Sequence, residues 1–342
     1  MYFFRSFLFP LSFLYGTIIF FRNLFFDIGI FSSKTYNYPT IGVGNLSVGG
    51  TGKSVAVNYL INCFKNEYQL TTLSRGYGRK SKGFQIATST SSANEVGDEP
   101  KMFKAAHPKV KVAVCNRRVE GMRRLLIDNE DQKNPLYIWD DCFQHRWVKP
   151  QSMILLTTYK RPYFDDLLLP VGHLREPTRG AKRADIVLVT KCPYEISDKD
   201  KKRVENQLKL KPKQKLFFST VQYSNQIRST QRTLSLVTLN KVSFLVVTGI
   251  ADATPFIKFL NEKFFTFDYI GFNDHHRFSM ADIKRIKKKS DGRMILTTEK
   301  DFARLDALMD SDLLFYLPIE MCIMDDRESE FKAAITVNFN EN

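Results

Sequence analysis

The chain has 342 residues, 43% of them hydrophobic and 25% charged, a composition that excludes a disordered protein and allows one large or two ordinary domains. Its formal net charge of +15 predicts an anionic partner, which nucleic acid, a nucleotide, a phospholipid headgroup or a phosphorylated substrate would each satisfy. The five cysteines are scattered without metal-ligand spacing, which argues against a zinc site or a disulfide framework and indicates a reducing compartment.

The N-terminal segment, residues 1–34, is apolar and rich in phenylalanine. Sixteen uncharged, mostly apolar residues lie between Arg5 and Arg22, whereas a spanning helix needs about twenty. No small-residue cleavage site of a signal peptide follows them. We interpret the segment as lying in a membrane interface with its arginines on the headgroups. The alternative is a helix packed on the protein's own core.

Residues 35–221 read as alternating strands and helices. Strands separated by helices predict βαβ units, and therefore an α/β fold with a mainly parallel sheet and helices on both faces. Strands are predicted at 40–45, 111–115, 136–141, 153–159 and 185–191, and helices at 55–65 and 119–127.

Residues 222–342 predict a smaller C-terminal α/β unit. The polar stretch 222–233 reads as a linker, and the basic run 284–289 as a solvated helix face, with a nucleic-acid patch as the alternative. Further strands are predicted at 242–250, 267–272, 294–301 and 313–321.

The stretch "GNLSVGGTGKS" has the features of a phosphate-binding loop between a strand and a helix. Glycines let backbone N–H groups approach phosphate oxygens, a lysine reaches the outer phosphates, and a hydroxyl ligates Mg²⁺. Ser47 stands where the usual loop begins with glycine, which is a departure. The pattern predicts a P-loop NTPase-like fold whose nucleotide-binding residues are Ser47, Val48, Gly49, Gly50, Thr51, Gly52, Lys53 and Ser54.

Two pairs of acidic residues complement this loop. Asp140 and Asp141 end a predicted buried strand, where such folds place a second group that organises Mg²⁺. Asp98 and Glu99 lie in a polar stretch that offers a base and a metal ligand. The nucleotide is predicted to be ATP, because "VLVTKCP" lacks the aspartate with which guanine-specific members of this superfamily read the base.

The stretch "GFNDHHRFS" places His275 and His276 after a predicted strand. A buried structural histidine is one interpretation. A histidine that tunes the pKa of a catalytic carboxylate is the other.

Eight motifs taken together resemble the tetraacyldisaccharide 4'-kinase family, which phosphorylates the lipid A precursor of Gram-negative bacteria. The resemblance covers nearly the whole chain. It is carried by "PLSFLYG", "VGNLSVGGTGKS", "LSRGYGRK", "GDEP", "DDCFQHR", "LPVGHLRE", "DHHRF" and "TTEKDFARL".

The resemblance implies transfer of the ATP γ-phosphate to the 4'-hydroxyl of a tetraacyl-glucosamine disaccharide 1-phosphate. It implies Mg²⁺ and the cytoplasmic face of the bacterial inner membrane, with no nucleic acid and no obligate protein partner. By motif position, Asp98 resembles the family's catalytic base and His275 the histidine that assists it.

The resemblance also assigns phosphate and metal ligands. Lys53 is then a catalytic residue at the phosphates. The implied metal ligands are Ser54, Asp140 and Asp141, and the polar stretch around Asp98 adds Glu99 to the predicted set. Cys142 and Phe143 replace the family's Gly-Leu, which leaves the backbone path of that turn open. The rival interpretation is a membrane-associated partitioning or positioning ATPase. It lacks support because Val48 stands where those proteins carry a signature lysine.

Overall fold

The structure, a computed structural model, describes residues 8–128, 133–263, 265–274, 276–309 and 312–340. It begins with helix α1 (Phe9–Asp27), whose first turn contains Pro10, a residue that fixes a helical φ where no N–H partner is needed. Two β-sheets follow. The first sheet carries the candidate site, and the second packs beside it.

The first sheet is mainly parallel, as predicted. Among the described residues it contains nine strands in the order β15-β8-β7-β6-β1-β5-β2-β4-β3, with only β3 and β15 antiparallel to their neighbours. Its elements up to the second sheet are β1 (Thr40–Asn45), α2 (Lys53–Phe64), β2 (Gln69–Ser74), β3 (Gln85–Ile86), α3 (Ala93–Val96), α4 (Asp98–Ala106), β4 (Lys111–Val114), α5 (Arg118–Ile127), β5 (Pro135–Trp139), β6 (Ser152–Thr158), β7 (Ile186–Thr190), α6 (Asp198–Leu208) and β8 (Lys215–Tyr223).

Helices cover both faces of this sheet, because neighbouring residues of a strand point to opposite sides. Ile138 of β5 packs in a cluster with Val57 of α2 and Phe103 of α4. The adjacent Trp139 packs on the other side with Met122 of α5. The predicted α/β fold with a mainly parallel sheet is confirmed.

The second sheet has the strand order β10-β9-β14-β13-β11-β12. The stretch 222–233, predicted as a linker, contains β9, because Ile227 is fully buried and Arg228 pairs with Tyr316. The elements are β9 (Gln226–Arg228), β10 (Thr233–Ser235), β11 (Phe244–Thr248), α7 (Thr254–Glu262), β12 (Phe267–Gly271), α8 (Met280–Ser290), β13 (Ile295–Thr298), α9 (Glu299–Met309) and β14 (Leu314–Leu317).

The end of the chain returns to the first sheet. Strand β15 (Ile319–Ile323) pairs with β8, and helix α10 (Glu328–Thr336) buries Phe331 in the cluster that also holds Val57. The range 222–342, expected as one C-terminal unit, therefore contributes to both sheets. The apolar run 313–321 was predicted as one strand, but Pro318 separates β14 from β15.

Helix α1 is mostly exposed although it is apolar. It has 19 residues with a mean hydropathy of 1.4, and 17% of it is buried. Within the described part of the chain it is the helix that is long and apolar enough to cross a membrane, a test that core helices and signal sequences also pass. The rest of segment 1–34 includes residues 1–7, which lie outside the described residues.

Candidate active site

The glycine-rich loop lies between β1 and α2, as predicted. Gly49 and Gly52 have φ values of +100° and +89°, a backbone region in which a Cβ atom is strained. The Val48 N–H donates to the carbonyl of His173 at 2.7 Å, and the Thr190 hydroxyl donates to the carbonyl of Thr51 at 2.8 Å. Neighbouring segments thus fix both halves of the loop ahead of the α2 N-terminus, whose dipole attracts phosphate.

Asn45, the last residue of β1, organises the loop from beneath. Its amide nitrogen donates to the Ser47 carbonyl and to the Thr51 hydroxyl, both at 2.7 Å. Its amide oxygen accepts from Lys53 Nζ at 3.2 Å. Sequence reasoning missed Asn45, although a fully buried amide at the end of an apolar strand, directly before the loop, was an available signal.

The two carboxylates after β5 have opposite environments. Asp140 is 2% exposed, and burial together with the charges of Glu99 and Asp141 raises its pKa to about 7. Its Oδ1 has no hydrogen-bond partner among the described residues. Burial would also raise the pKa of Asp141, but Arg175 and Lys53 lower it below its ordinary value.

Asp141 forms a two-point ion pair with Arg175, with distances of 2.9 Å from Nη2 to Oδ1 and 3.2 Å from Nη1 to Oδ2. Lys53 Nζ lies 3.6 Å from the same Oδ1. Arg175 also donates to the carbonyl of Asn45 at 3.0 Å. A single cationic cluster therefore joins the strand end, the phosphate loop and Asp141.

Ser54 and Glu99 meet directly, since the Ser54 hydroxyl donates to Glu99 Oε1. Lys300 Nζ lies 3.6 Å from the same carboxylate oxygen. Within the described ranges, no three His, Cys, Asp or Glu side chains come together as a metal-binding group. The predicted ligands Glu99, Asp140 and Asp141 therefore do not form a three-carboxylate cluster, because Asp141 is engaged by Arg175 and Lys53.

Asp98 lies in the first turn of α4, next to Glu99, where the second sheet unit reaches the site. Arg304 of α9 contacts Asp98 Oδ2 with Nη2 at 2.6 Å and Nε at 3.0 Å. Arg304 Nη1 in turn lies 3.3 Å from Asp301, a buried carboxylate that accepts the Gly249 N–H at 2.8 Å. The contact with Asp98 explains why the "TTEKDFARL" motif belongs to the site.

The motif "DHHRF" contains two neighbouring histidines, His275 and His276. His275, predicted to assist Asp98, lies outside the described residues. His276 Nε2 is 3.1 Å from Asp282 Oδ2, which also caps helix α8, and its ring stacks on Phe272 at 4.6 Å between centroids. The structure therefore gives His276 a structural position.

The turn after Asp141 tolerates the loss of glycine. Asp141 itself adopts the left-handed conformation, with φ of 45°, whereas Cys142 does not have a positive φ. The buried Cys142 thiol fills space above Gly42, where a Cβ would lie only 2.9 Å from Sγ. Cysteine in place of the family's glycine thus costs no backbone strain.

Arg118 supports the same turn and was missed by sequence reasoning. Its guanidinium is fully buried and donates to the carbonyls of Cys115 and Asp140, both at 2.8 Å. Its backbone N–H donates to His145 Nε2 at 3.2 Å. By binding these two carbonyls, the buried guanidinium fixes the ends of two strands. No local sequence pattern predicts this role.

A glycine-rich loop that follows a central parallel strand, opens a helix and faces acidic residues after the neighbouring strand is the architecture of P-loop nucleotide-binding enzymes. The chain is a protein of that class.

Comparison with known proteins identifies the family. The sequence profile of the tetraacyldisaccharide-1-P 4'-kinase family matches residues 4–339. A Tetraacyldisaccharide 4'-kinase of Flavobacterium johnsoniae is 42% identical over 338 residues, covering 99% of this chain and 98% of that protein. One of Bacteroides thetaiotaomicron is 40% identical, covering 98% and 93%. The chain belongs to the tetraacyldisaccharide 4'-kinase family.

A solved structure is similar over almost the full length. The crystal structure of LpxK from Aquifex aeolicus in complex with ATP has a TM-score of 0.79 and 31% identity, covering 98% of this chain and 99% of that one. The protein is therefore a kinase of lipid A biosynthesis, as the motifs predicted. The rival interpretation as a partitioning ATPase has no support in these comparisons.

Proposed function

We propose that the site transfers the γ-phosphate of ATP to the 4'-hydroxyl of a tetraacyl-glucosamine disaccharide 1-phosphate held in a bilayer. The observation that carries this proposal is the hydrogen bond from Ser54 to Glu99. Asp98 is the residue before Glu99, so this contact supports a proposal in which a carboxylate suited to the acceptor lies close to the loop suited to the nucleotide phosphates. Family membership supports both substrates.

The loop 47–54 holds the phosphates of ATP. Lys53 neutralises charge that develops on the migrating phosphoryl group, and Asn45 and Asp141 hold its ammonium in place. Arg175 adds a second cation at the same place. Little covalent chemistry is required of the protein in phosphoryl transfer, so these contacts supply position and charge.

The residues present fit a Mg²⁺ ion. Hard oxygen donors suit this cation, and Asp140 is a buried carboxylate with an oxygen that no described residue satisfies. Burial, together with the negative charges of Glu99 and Asp141, raises the pKa of this carboxyl, and a cation would offset both effects. Ser54, Glu99 and Asp140 would hold the ion, whereas Asp141 stays paired with Arg175. When bound, Mg²⁺ would neutralise phosphate oxygens.

Asp98 is the general base in this proposal. A sugar hydroxyl must lose its proton as the new phosphorus–oxygen bond forms, and a carboxylate commonly accepts it. Arg304 fixes the orientation of Asp98 through Oδ2. We assign His275 as the assisting residue from its motif position.

The membrane role of α1 follows from its surface. Phe13 is 78% exposed, and Leu14, Ile18 and Phe21 are exposed with it. Such an apolar face suits a bilayer interface. We propose a peripheral or monotopic position on the cytoplasmic face of the inner membrane, where ATP is present, with no nucleic acid and no obligate protein partner.

The test is a transfer assay with purified enzyme, ATP, Mg²⁺ and the disaccharide 1-phosphate, scored for bisphosphorylated product. Asp98→Ala should lose most of kcat with little change in ATP affinity. His275→Ala should be milder, and the double variant little worse than Asp98→Ala, because residues that act as a unit are not additive. Asp198→Ala, which changes an exposed acidic residue in the first turn of α6, is the control.

Full activity in Asp98→Ala would exclude the base assignment and make Asp140 the next candidate.

For the membrane role, deleting residues 1–26 should shift the protein to the soluble fraction and raise KM for the lipid. If α1 merely packed on the core, the intact protein would wash off membranes and the deletion would cause aggregation.

A further inference from the structure

One loop, residues 166–176, lies between the phosphate loop and α1. On the phosphate side, the carbonyl of His173 accepts the Val48 N–H at 2.7 Å. The Arg175 N–H donates to the carbonyl of Leu46, also at 2.7 Å. The 166–176 loop therefore binds the backbone on which the phosphate loop is built.

On its other side the same loop contacts α1. The Ser12 hydroxyl donates to the Leu168 carbonyl at 2.9 Å, and the Tyr15 hydroxyl donates to the Arg175 carbonyl at 2.7 Å. Gly16 permits the close approach, because a Cβ there would lie 2.9 Å from Leu168 Cδ1. Two polar side chains of an otherwise apolar helix thus form hydrogen bonds with this loop.

Glu176 is the centre of the arrangement. This carboxylate is 1% exposed and accepts from Asn23 of α1 at 3.2 Å, from Gln144 at 2.9 Å and from Arg183 at 2.8 Å. The same Gln144 nitrogen donates to the carbonyl of Asn45 at 2.9 Å. Asn45 in turn holds Lys53, so Glu176 and Gln144 connect α1 to the phosphate-binding network. Tyr15 of α1 also reaches this network through Arg175, and Arg22 of α1 donates to the carbonyl of Gln144.

A buried carboxylate is sensitive to the loss of any partner. Withdrawing one donor leaves charge uncompensated in a low-dielectric environment, which is costly. If α1 shifts, Asn23 leaves Glu176, and Gln144 and Arg183 must re-orient to compensate. Since the opposite face of α1 is apolar and exposed, a bilayer favours whichever position of α1 buries that face.

We propose that Glu176 is a positioning residue that couples the seating of α1 in a bilayer to the phosphate loop, so that membrane binding and ATP binding strengthen each other. This inference rests on the proposed membrane role of α1. Thermodynamic linkage requires the two effects to be equal: vesicles must strengthen ATP binding by the factor by which ATP strengthens vesicle binding.

The experiment uses the full-length enzyme, vesicles of phosphatidylethanolamine and phosphatidylglycerol, and no disaccharide acceptor. Co-sedimentation with and without ATP gives one factor. The affinity for ATP, measured by its displacement of trinitrophenyl-ATP with and without vesicles, gives the other. We expect both factors to agree at about fivefold or more, the usual lower range for coupled sites. In Glu176→Gln, which turns one oxygen acceptor into a donor facing donors, both factors should fall close to one.

Two further variants test the coupling with smaller changes that should leave the fold intact. Tyr15→Phe keeps the aromatic packing and removes only the hydroxyl bonded to Arg175, and it should reduce both factors in part. Thr17→Val is the matched control, because within the part of the chain that the structure describes the Thr17 hydroxyl bonds only inside α1, to the Phe13 carbonyl at 2.9 Å. Its factors should equal those of the wild type.

The outcomes separate this inference from the membrane proposal. Wild-type enzyme that binds vesicles equally with and without ATP would overturn the coupling and leave the membrane role intact. Coupling that survives unchanged in Glu176→Gln would overturn the role of Glu176. Wild-type enzyme that does not bind vesicles at all would overturn both.

Discussion

Replacing Asn45 by alanine tests how the phosphate loop is held. The change removes two hydrogen bonds donated within the loop, each of 2.7 Å, and the amide oxygen that accepts from Lys53 and from Arg175. A neutral hydrogen bond contributes about 1 kcal/mol, and one to a charged group about 2 kcal/mol. Because Lys53 keeps Asp141 as a partner, we expect the free energy of unfolding to fall by about 2 to 4 kcal/mol.

The same substitution should reduce catalysis. With Asn45 gone, Lys53 retains one contact at 3.6 Å, and a displacement on the order of 1 Å can cost roughly 100-fold in rate. We therefore expect kcat to fall by about 10- to 100-fold. Thermal unfolding should show a Tm lower by roughly 3 to 6 °C. The entropy of unfolding grows with chain length, so in a chain of 342 residues each kcal/mol of lost stability lowers Tm only slightly.

The assay combines steady-state transfer kinetics with thermal unfolding of the same preparations. Asn62→Ala is the control and should change neither quantity, since Asn62 of α2 is exposed and, among the described residues, its side chain accepts only from the exposed Lys65. Wild-type kcat together with an unchanged Tm in Asn45→Ala would refute the reasoning that this amide holds the loop and its lysine.

Three further predictions follow from contacts around the site. Arg304→Met should lower kcat by about tenfold with little change in KM for ATP, because Asp98 loses its 2.6 Å partner; Arg124→Met, at an exposed ion pair, should change neither. Burial lowers the pKa of His107 to about 4, so the unfolded chain binds more protons between about pH 6.5 and 4. The free energy of unfolding should therefore fall by about 1 to 2 kcal/mol as pH drops through that window, after a discount for partial exposure, and an acid titration that shows the same slope in His107→Gln would contradict this. Cys142→Gly should keep kcat but lose about 1 kcal/mol of stability through the cavity above Gly42, measurable by urea denaturation, and a gain in stability would argue that the cysteine is strained.

The sequence predicted those parts of the site that depend on neighbouring residues. The phosphate loop needs left-handed glycines and a helix start within a few positions, and Asp140 needs only a buried strand before it. Such signals are local, so they can be recognised in the sequence without knowledge of the fold. The first parallel strand, 40–45, was predicted at its observed limits for the same reason.

The contacts that hold the site join residues far apart in the chain, and the sequence did not show these contacts. Arg175 reaches Asn45 across 130 positions, and Asn23 reaches Glu176 across 153. Each partner is an ordinary polar residue in its own stretch, and only the tertiary fold shows that it is buried. The same limit explains why β15 was assigned to the wrong sheet, since its pairing with β8 lies outside any local window.

The return of the last strand to the first sheet has a consequence for biosynthesis. Tyr223 of β8 pairs with Ile319, and Tyr59 of α2 bonds Glu328 at 2.9 Å, 269 positions further along the chain. A ribosome must therefore synthesise residues 319–323 before the edge next to β8 is covered. Until then an unpaired strand edge and an apolar surface remain open to wrong partners, which is the state that chaperones protect. Nascent chains that stall near residue 318 should thus be prone to aggregation, although every residue proposed for catalysis has already been made.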